Sequence, residues 1–385
     1  MNAITVPSAL DAQTLQLFAD SVERYGQDRY GFDTYRALRR TSPGFSEQAW
    51  LDYAQMGWLG AALPVEDGGF GSEPKAVAAL MRYAGERLAL EPLFACAVVC
   101  GRLLSLCGRA AAARSRLDAL ASGRRFFAFA HAEHNADAFD GLVETKVEGG
   151  KLYGSKVVVL HGDLADELLV SVAEPVAAVG DAVQRLSLYA VEADQPGVRK
   201  TSYGLIDGRG AASIEFNGAA CTPLAQGGEG ASLLGLALLD ARLALCAEAH
   251  GAMRALNRLT LAYLKDRRQF GRPIGMNQAL QHRMVELYML EQEAAAVIAA
   301  AQRSGGFAAA QRERAVMGAV AHVIAAGRLI SHEAVQMHGG IGTTDELAVS
   351  HYFKRIMVTN RLLGDRDAHL EAFVRADALA GAGSP

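Results

Sequence analysis

The sequence predicts an α+β protein with an N-terminal helical domain, a middle domain of antiparallel β-strands and a C-terminal four-helix bundle. Apolar residues recur every three or four positions before about residue 122 and after about residue 229, as in helices that bury one face. Between these parts the pattern changes to short β-type runs separated by turn residues. We therefore expect domains at residues 1–122, 123–228 and 229–385.

The N-terminal part shows helical spacing at two places. Leu15, Phe18 and Val22 follow one another at three- and four-residue steps, and the same behaviour returns over residues 78–90. Residues 57–71 interrupt it with five glycines and a proline around two aromatic residues. Because glycine and proline both disfavour the interior of a helix, this segment predicts an ordered loop.

The middle and C-terminal parts differ in the length of their apolar segments. Short runs separated by Gly, Asp and Asn predict an antiparallel barrel or sandwich. These runs are residues 126–130, 156–160, 167–172, 186–191 and 212–216. Longer segments predict the helices of a bundle. They cover residues 233–263, 278–302, 312–337 and 362–379. The sequence contains neither a Rossmann GxGxxG nor a P-loop GxxxxGK motif.

The composition is that of a globular protein without a strong electrostatic bias. Of the 385 residues, 51% are hydrophobic and 21% are charged, which excludes a disordered chain. The formal net charge of −4 gives no overall attraction to nucleic acid, and we expect no nucleic-acid partner. Charged runs such as residues 265–268 are explained by solvation of the surface.

Three features predict a cytoplasmic protein. The longest stretch without Asp, Glu, Lys or Arg has 13 residues, for example residues 53–65, whereas a membrane-spanning helix needs roughly 20 apolar residues. Residues 1–10 lack the basic and apolar regions of a secretory signal. The 5 cysteines form no CxxC pair and favour reduced thiols over a disulfide framework.

Two segments of the last domain carry most of the chemical information. They read Arg-Arg-Gln-Phe-Gly-Arg-Pro-Ile at residues 267–274 and Gln-Met-His-Gly-Gly-Ile-Gly-Thr-Thr at residues 336–344. An arginine at a helix end can donate two hydrogen bonds to a phosphate, an adjacent phenylalanine can stack on adenine, and paired glycines let backbone amides approach a diphosphate. This pattern indicates half of a dinucleotide site. The alternative is that Arg267 caps a helix and the glycines form an ordinary turn.

With the loop at residues 57–71 and the α, β, α order, these motifs make nearly the whole chain resemble the flavin-dependent acyl-CoA dehydrogenase family. Some bacterial members that it resembles are heteromeric and act on steroid-derived thioesters. In the family, the residues that match Arg267, Phe270, Gln336, Gly339 and Gly340 hold the ADP part of FAD bound to the neighbouring subunit. The resemblance thus implies FAD, an acyl-CoA substrate, an electron-transfer flavoprotein as acceptor, and a homo-oligomer, such as a dimer or tetramer, or an α2β2 assembly with a homologous subunit.

The segments that face the flavin ring in the family are changed here. Ala132-Glu133-His134 and Asn135-Ala136-Asp137 stand where the family has Thr-Glu-Pro and Gly-Ser-Asp. Val158 replaces a Trp that would flank the ring, and Leu160 replaces a Thr that would hydrogen-bond it. Because these side chains cannot donate hydrogen bonds, we expect FAD to bind weakly or substoichiometrically to the chain alone. The alternative is that backbone amides of this segment make the ring contacts instead.

The carboxylate that serves as base in the family is also missing. α,β-Dehydrogenation of a thioester removes an α-proton while a hydride leaves the β-carbon for the flavin. Most members have a Glu 23 residues after the second glycine of the Gly-Gly pair, where this chain has Leu363. Others have a Glu directly before an arginine that matches Arg242, where this chain has Ala241.

Glu248 is the best remaining candidate for the base. It follows Ala241 by seven positions, which places both within about 20° on one helix face and roughly 10 Å apart along the axis. The alternative is a structural carboxylate paired with an arginine. Asp365 and Asp240 are weaker candidates. Arg242 is a candidate for binding the substrate thioester or supporting the base, with pairing on the helix surface as its alternative.

Other catalytic classes lack their motifs. Without a His-Glu-x-x-His or Cys/His ligand spacing, no metal is expected, and the proximity of His131 and His134 is interpreted as incidental. Without GxSxG, Ser-His-Asp hydrolysis is not expected.

Two functional hypotheses remain. In the first, the chain is an acyl-CoA dehydrogenase that uses Glu248 as its base. In the second, it is a catalytically silent partner subunit that completes the FAD site of another chain. The loss of the usual base position suggests a bulky or branched acyl group in either case.

Overall fold

A computed structural model describes residues 12–41, 44–71, 73–108, 111–134, 142–174, 185–226 and 228–381. Residues 1–10 and Asn135-Ala136-Asp137, which entered the sequence argument, lie outside these residues. The chain divides into two compact units. Unit 1 comprises Met1–Arg24, Leu38–Leu80 and Leu90–Ala241, and unit 2 comprises Tyr25–Ala37, Met81–Ala89 and Arg242–Pro385. The domain boundaries given above stay predictions.

The N-terminal part is helical, as its apolar spacing predicts. Its helices are α1 (Ala12–Asp28), α2 (Phe32–Leu38), α3 (Glu47–Gln55), α4 (Pro74–Arg87), a fully buried π-helical segment (Leu93–Cys100), α5 (Gly101–Leu106) and α6 (Ala111–Ala121). The Ser46 hydroxyl accepts a hydrogen bond from the Ala49 backbone N–H and so caps the start of α3.

The predicted loop at residues 57–71 is a packed part of unit 1. It contains two short 3₁₀ turns, Trp58–Gly60 and Val65–Asp67. Trp58 stacks on Tyr53 with ring centroids 5.0 Å apart. A Cβ at Gly69 would lie 2.4 Å from the Leu63 carbonyl oxygen, so only glycine fits this approach.

The middle part of unit 1 consists of two four-stranded sheets. The strands are β1 (Phe127–Ala130), β2 (Lys146–Glu148), β3 (Lys151–Leu160), β4 (Glu167–Ala173), β5 (Leu186–Glu192), β6 (Val198–Gly204), β7 (Gly210–Ala220) and β8 (Thr222–Ala225). The sheet orders are β1-β4-β5-β8 and β2-β3-β7-β6. Side chains of both sheets, such as Val170 and Ile214, share one buried core.

One strand pair differs from the antiparallel prediction. β1 and β4 run parallel, with Phe127 opposite Glu167, whereas the other pairs of both sheets are antiparallel. The chain between β1 and β4 contains β2 and β3, and a connection of that length allows either direction.

The C-terminal part contains α7 (Gly228–Asp266), a hairpin of β9 (Arg268–Gln269) and β10 (Arg272–Pro273), and four further helices. These are α8 (Gln278–Arg303), α9 (Ala309–His338), α10 (Ala348–Leu363) and α11 (Arg366–Gly381). The order of helices, strands and helices confirms the predicted fold class. Helix α10 is additional to the four predicted bundle helices.

Two glycines let helices approach closely within unit 2. A Cβ at Gly85 of α4 would lie 1.9 Å from the Glu248 carbonyl oxygen of α7. A Cβ at Gly251 would lie 2.0 Å from the Arg82 carbonyl oxygen. The two helix backbones therefore touch where Glu248 lies.

Two helical stretches are long and apolar enough to cross a membrane by length and composition, Gly230–Asp266 and Ala309–Thr343. Of their apolar windows, 61% and 56% are buried inside the protein, as in core helices, so they are weak evidence for a span. The absence of a span stays a prediction.

Candidate functional site

The hairpin after α7 holds one aromatic ring away from the protein. Phe270 and Gly271 form its tip with φ values of 51° and 79°, and the Phe270 side chain is fully exposed. The hairpin is closed at its base by the Ile274 N–H, which donates to the Arg267 carbonyl oxygen at 2.8 Å. Positive φ at both central residues is typical of two-residue hairpin turns, so this conformation belongs to the turn and leaves the Phe270 ring in solvent.

The Gly-Gly pair forms an open turn at the end of α9. Gly339 has φ 67° and ψ −151°, a conformation that essentially only glycine adopts. Its N–H is bonded to the Gln336 and Val335 carbonyl oxygens, which ends the helix. Within the described part of the chain, no atom other than those of the glycine and its chain neighbours lies within 4 Å of the position of a Cβ at Gly339 or Gly340, so this face of the turn is open.

These two segments meet through an aromatic contact in unit 2. The Tyr263 ring of α7 stacks on the His338 ring of α9, with centroids 4.3 Å apart. The side chains of Arg267, Phe270 and Gln336 are exposed, and within the described residues none of them makes a hydrogen bond or ion pair. The structure thus brings the predicted half-site residues to neighbouring helix ends with their side chains available to a ligand.

Glu248 lies in a buried ion pair. Its Oε1 is 3.0 Å from Nη1 of Arg355 on α10, and both side chains are 1% exposed. Nη2 of Arg355 donates to the Ala89 carbonyl oxygen at 3.1 Å. This geometry is that of the structural alternative for Glu248, and its role as base stays a prediction.

The other candidate carboxylates, Asp365 and Asp240, also make structural contacts, and apolar side chains stand at the two base positions of the family. Asp365 accepts hydrogen bonds from the backbone N–H groups of Ala368 and Asp367 at the start of α11, and these bonds lower its pKa. Asp240 pairs with Arg102 at 2.8 Å in unit 1. Leu363 and Ala241 are buried, with 0% and 1% exposure.

Arg242 is 5% exposed, so it does not belong to a solvated helix surface. This burial removes surface pairing as its explanation. Its role in binding substrate stays a prediction.

The segments predicted to face a flavin ring make their polar contacts within unit 1. The Val158 backbone N–H donates to the Tyr203 hydroxyl at 3.1 Å, and Val158 has φ 50°. Leu160 is 6% exposed. Glu133 is 2.7 Å from Nζ of Lys156. The Val158 N–H and the Glu133 carboxylate therefore already have hydrogen-bond or ion-pair partners within unit 1.

The histidines near this segment show no metal geometry. His131 Nδ1 lies 2.8 Å from the Ser171 hydroxyl. Among the described residues, no group of three or more His, Cys, Asp or Glu side chains could hold a metal ion.

Comparison with known proteins identifies the family. The acyl-CoA dehydrogenase C-terminal domain family matches residues 228–376. The acyl-CoA dehydrogenase IpdE2 of Mycolicibacterium smegmatis is 30% identical over 91% of this chain and 94% of the relative. The chain belongs to the acyl-CoA dehydrogenase family.

Two solved structures have the same fold. A variant of the Tcur3481–Tcur3483 steroid ACAD is 26% identical, covers 96% of this chain and 99% of the other, and has a TM-score of 0.85. The ChsE4–ChsE5 complex from Mycobacterium tuberculosis is 23% identical, covers 98% and 100%, and has a TM-score of 0.84.

FAD is the cofactor of acyl-CoA dehydrogenases, and the two ends of the predicted FAD site differ in how well they fit it. The ADP end fits, because the turn at Gly339 is open and the side chains beside it are exposed. The ring end offers fewer free donors, because the Val158 N–H is bonded to the Tyr203 hydroxyl and the Leu160 side chain has no hydrogen-bonding group. In this acyl-CoA dehydrogenase chain the predicted ADP end is therefore the more accessible of the two ends, and its residues stay a prediction.

Sequence reasoning missed three residues that shape this acyl-CoA dehydrogenase chain: Arg355, Tyr263 and Tyr203. A signal existed for Arg355, which shares the apolar face of α10 with Tyr352 and Ile356 and must find a partner there. The partners of the two tyrosines lie on other elements, and no local pattern indicates them.

Proposed function

We propose that this chain is the companion subunit of a heteromeric acyl-CoA dehydrogenase. It contributes the ADP half-site for FAD held by a second, homologous chain, which supplies the ring contacts and the base. The observation that carries this proposal is the contrast between the two ends of the site: an open ADP end, and a ring end whose groups are used internally.

The half-site residues have distinct roles. The Arg267 guanidinium pairs with the FAD diphosphate, Phe270 stacks on the adenine, and Gln336 hydrogen-bonds the nucleotide. Gly339 and Gly340 let the backbone approach the diphosphate without a Cβ in the way. FAD supplies the hydride acceptor for α,β-dehydrogenation of the thioester.

An exposed apolar surface on unit 2 supports assembly with another chain. We call it the α8 surface, and it consists of Leu261, Met276, Val285, Tyr288 and Met289, which are 42%, 57%, 56%, 58% and 52% exposed. A groove of about 370 Å³ lined by residues such as Leu264 and Met284 adjoins it. Apolar area of this kind marks protein interfaces, and a homologous subunit in a dimer or α2β2 tetramer would cover it.

One relative supports the proposed substrate class. The Tcur3481–Tcur3483 protein is described as a steroid ACAD, so we propose a bulky, steroid-derived acyl-CoA as substrate. An electron-transfer flavoprotein is the proposed acceptor, and the cytoplasm the proposed location.

A second candidate is an enzyme active by itself with Glu248 as base. The position of Glu248 favours this candidate. Glu248 lies on α7 seven positions after Ala241, where some members of the family have their base, and at the point where α4 and α7 touch. This candidate requires the thioester to reach a carboxylate that is 1% exposed and paired with Arg355.

Flavin absorbance separates the two candidates. The chain is purified alone and together with a homologous chain from the same organism, and each sample is treated with a steroid-derived acyl-CoA. We expect little flavin in the chain alone, and FAD that is bleached by substrate in the mixture. Stoichiometric FAD and substrate-dependent bleaching in the chain alone would exclude the companion role.

A further inference from the structure

The two parts of the ADP half-site follow different helices, and the Tyr263 side chain links these helices. Arg267 and Phe270 follow the end of α7, whereas Gln336 and the Gly-Gly pair lie at the end of α9. A ligand that contacts both parts requires a fixed distance between them, because a displacement of about 1 Å is enough to misalign hydrogen bonds. The described contact between them is that of Tyr263 with His338.

Tyr263 contacts both helix ends, so its position fixes their spacing. It lies one helical turn before Arg267, whose N–H donates to the Tyr263 carbonyl oxygen at 2.8 Å. Its ring lies on the His338 ring with an interplanar angle of 27°. Its hydroxyl donates to the His338 carbonyl oxygen at 3.3 Å, directly before Gly339.

His338 is itself held on its other sides. Its Nδ1 lies 2.8 Å from the Ala334 carbonyl oxygen, which can only accept, so this nitrogen carries the proton. A Cβ at Gly342 would lie 2.9 Å from the His338 Cβ, so the turn after the Gly-Gly pair packs tightly on this residue. A movement of Tyr263 therefore shifts the Gly339 turn through a rigid neighbour.

We propose that Tyr263 is a positioning residue that sets the spacing between Arg267 and the Gly339-Gly340 turn and so determines the affinity of this half-site for the ADP part of FAD. This inference rests on the proposed function, since it assumes that the half-site binds FAD held by the second, homologous chain. The stacked ring provides most of the effect, because it is an extended contact between the helix ends, whereas the hydroxyl bond is long.

The test measures the FAD affinity of the flavin-free complex of this chain with the second, homologous chain, by the change in flavin fluorescence. Tyr263→Leu removes the stack, Tyr263→Phe keeps it, and Tyr153→Leu is the control at a half-buried tyrosine of β3 outside the half-site. We expect Tyr263→Leu to raise the dissociation constant about tenfold, Tyr263→Phe at most about threefold, and the control to leave it unchanged.

A double-variant cycle separates positioning from loss of stability. If Tyr263 acts through the geometry of Arg267, the Arg267→Ala and Tyr263→Leu effects on FAD affinity are less than multiplicative when combined. The melting temperature of the flavin-free complex should change by no more than about 2 °C in Tyr263→Leu, since the ring is only half-buried. Tyr263→Met, which keeps apolar contact, is the second variant if Tyr263→Leu does not fold.

Three outcomes would overturn the inference. Unchanged FAD affinity in Tyr263→Leu while Arg267→Ala weakens binding removes the positioning role and leaves the half-site intact. Equal losses in Tyr263→Phe and Tyr263→Leu mean that the stack is not the cause. No effect of Arg267→Ala refutes the proposed function itself and this inference with it.

Discussion

Arg355 and Glu248 form an ion pair across 107 residues of sequence, with Nη1 and Oε1 3.0 Å apart and both side chains 1% exposed. The same guanidinium donates to the Ala89 carbonyl oxygen and lies 3.4 Å from that of Leu88, which has φ 56°. The pair therefore ties α7, α10 and the end of α4 together within unit 2. Because each charge lacks access to water, the loss of either leaves the other costly to bury.

Glu248→Gln tests whether this carboxylate is structural or catalytic. We expect the free energy of unfolding to fall by about 3 kcal/mol, because Arg355 loses its counter-charge, while turnover per bound FAD in the complex stays within about threefold. Urea unfolding and steady-state kinetics measure the two quantities. Glu313→Gln, at an exposed position of α9, is the control. A loss of flavin reduction of at least about a hundredfold at unchanged stability would instead identify Glu248 as the base.

Arg267→Ala tests the half-site directly. The change removes a charge-assisted contact to phosphate worth about 1.5–3 kcal/mol, so FAD should bind the complex roughly 10- to 150-fold more weakly. Equilibrium dialysis of FAD measures the change, and Arg375→Ala on exposed α11 is the control. Full FAD occupancy in both variants would show that Arg267 does not contact the cofactor.

Val285→Asp tests the α8 surface. Val285 is 56% exposed, so the change should not disturb the fold of the chain, but a charge buried in an apolar interface is unfavourable. Light scattering should show release of the chain as a monomer near its mass of 40.8 kDa. Leu17→Asp, at a leucine of α1 that is 62% exposed, should leave the assembly unchanged. If both variants assemble like the unmodified chain, the α8 surface is not the interface.

The sequence predicts much of this architecture because its signals are local. The change of apolar period locates β1, β3, β4, β5, β7 and the long helices, and the glycine-rich segment at residues 57–71 is a packed loop, as predicted. Strands β2, β6 and β8 were not predicted, because they are short or largely exposed and carry little apolar pattern. Helix α10 was not predicted, since its buried face carries polar side chains such as His351 and Arg355 alongside apolar ones. Such a face weakens the apolar period that identifies a helix.

The candidate site was predictable only in part, because the sequence shows local motifs but not the contacts between distant residues. The residues of the predicted half-site lie in two short motifs that can be read from the sequence, and the structure shows that the Arg267, Phe270 and Gln336 side chains are exposed. The partners of Glu248 and Val158, which are Arg355 and Tyr203, lie far away along the chain and become neighbours only through folding. The role of a buried carboxylate is decided by such partners, which spacing along one helix cannot show.

A buried network in the β-domain predicts how stability depends on pH. Lys156 is 0% exposed and lies 2.7 Å from Glu133 Oε1. Burial alone would raise the pKa of Glu133, but the Lys156 ammonium and the hydrogen bonds from Glu144 N–H and Thr145 lower it below its usual value. The charged carboxylate is thus more favoured in the folded state than in the unfolded chain.

The sign of the pH effect follows from this lowered pKa. Above the unfolded pKa of about 4.5 the stabilisation by Glu133 is fully present, and it is lost as the pH falls through the folded pKa, because the unfolded state then binds the proton first. Glu133→Gln should lower the free energy of unfolding at pH 7 by about 3 kcal/mol, since Lys156 loses its counter-charge. It should also flatten the loss of stability between about pH 5 and 3, measured by urea unfolding at each pH. Glu66→Gln, at an exposed position, is the control and should lose stability between about pH 5 and 3 as steeply as the unmodified chain. If the free energy of unfolding of Glu133→Gln falls as steeply with decreasing pH as that of the unmodified chain, other carboxylates control acid unfolding.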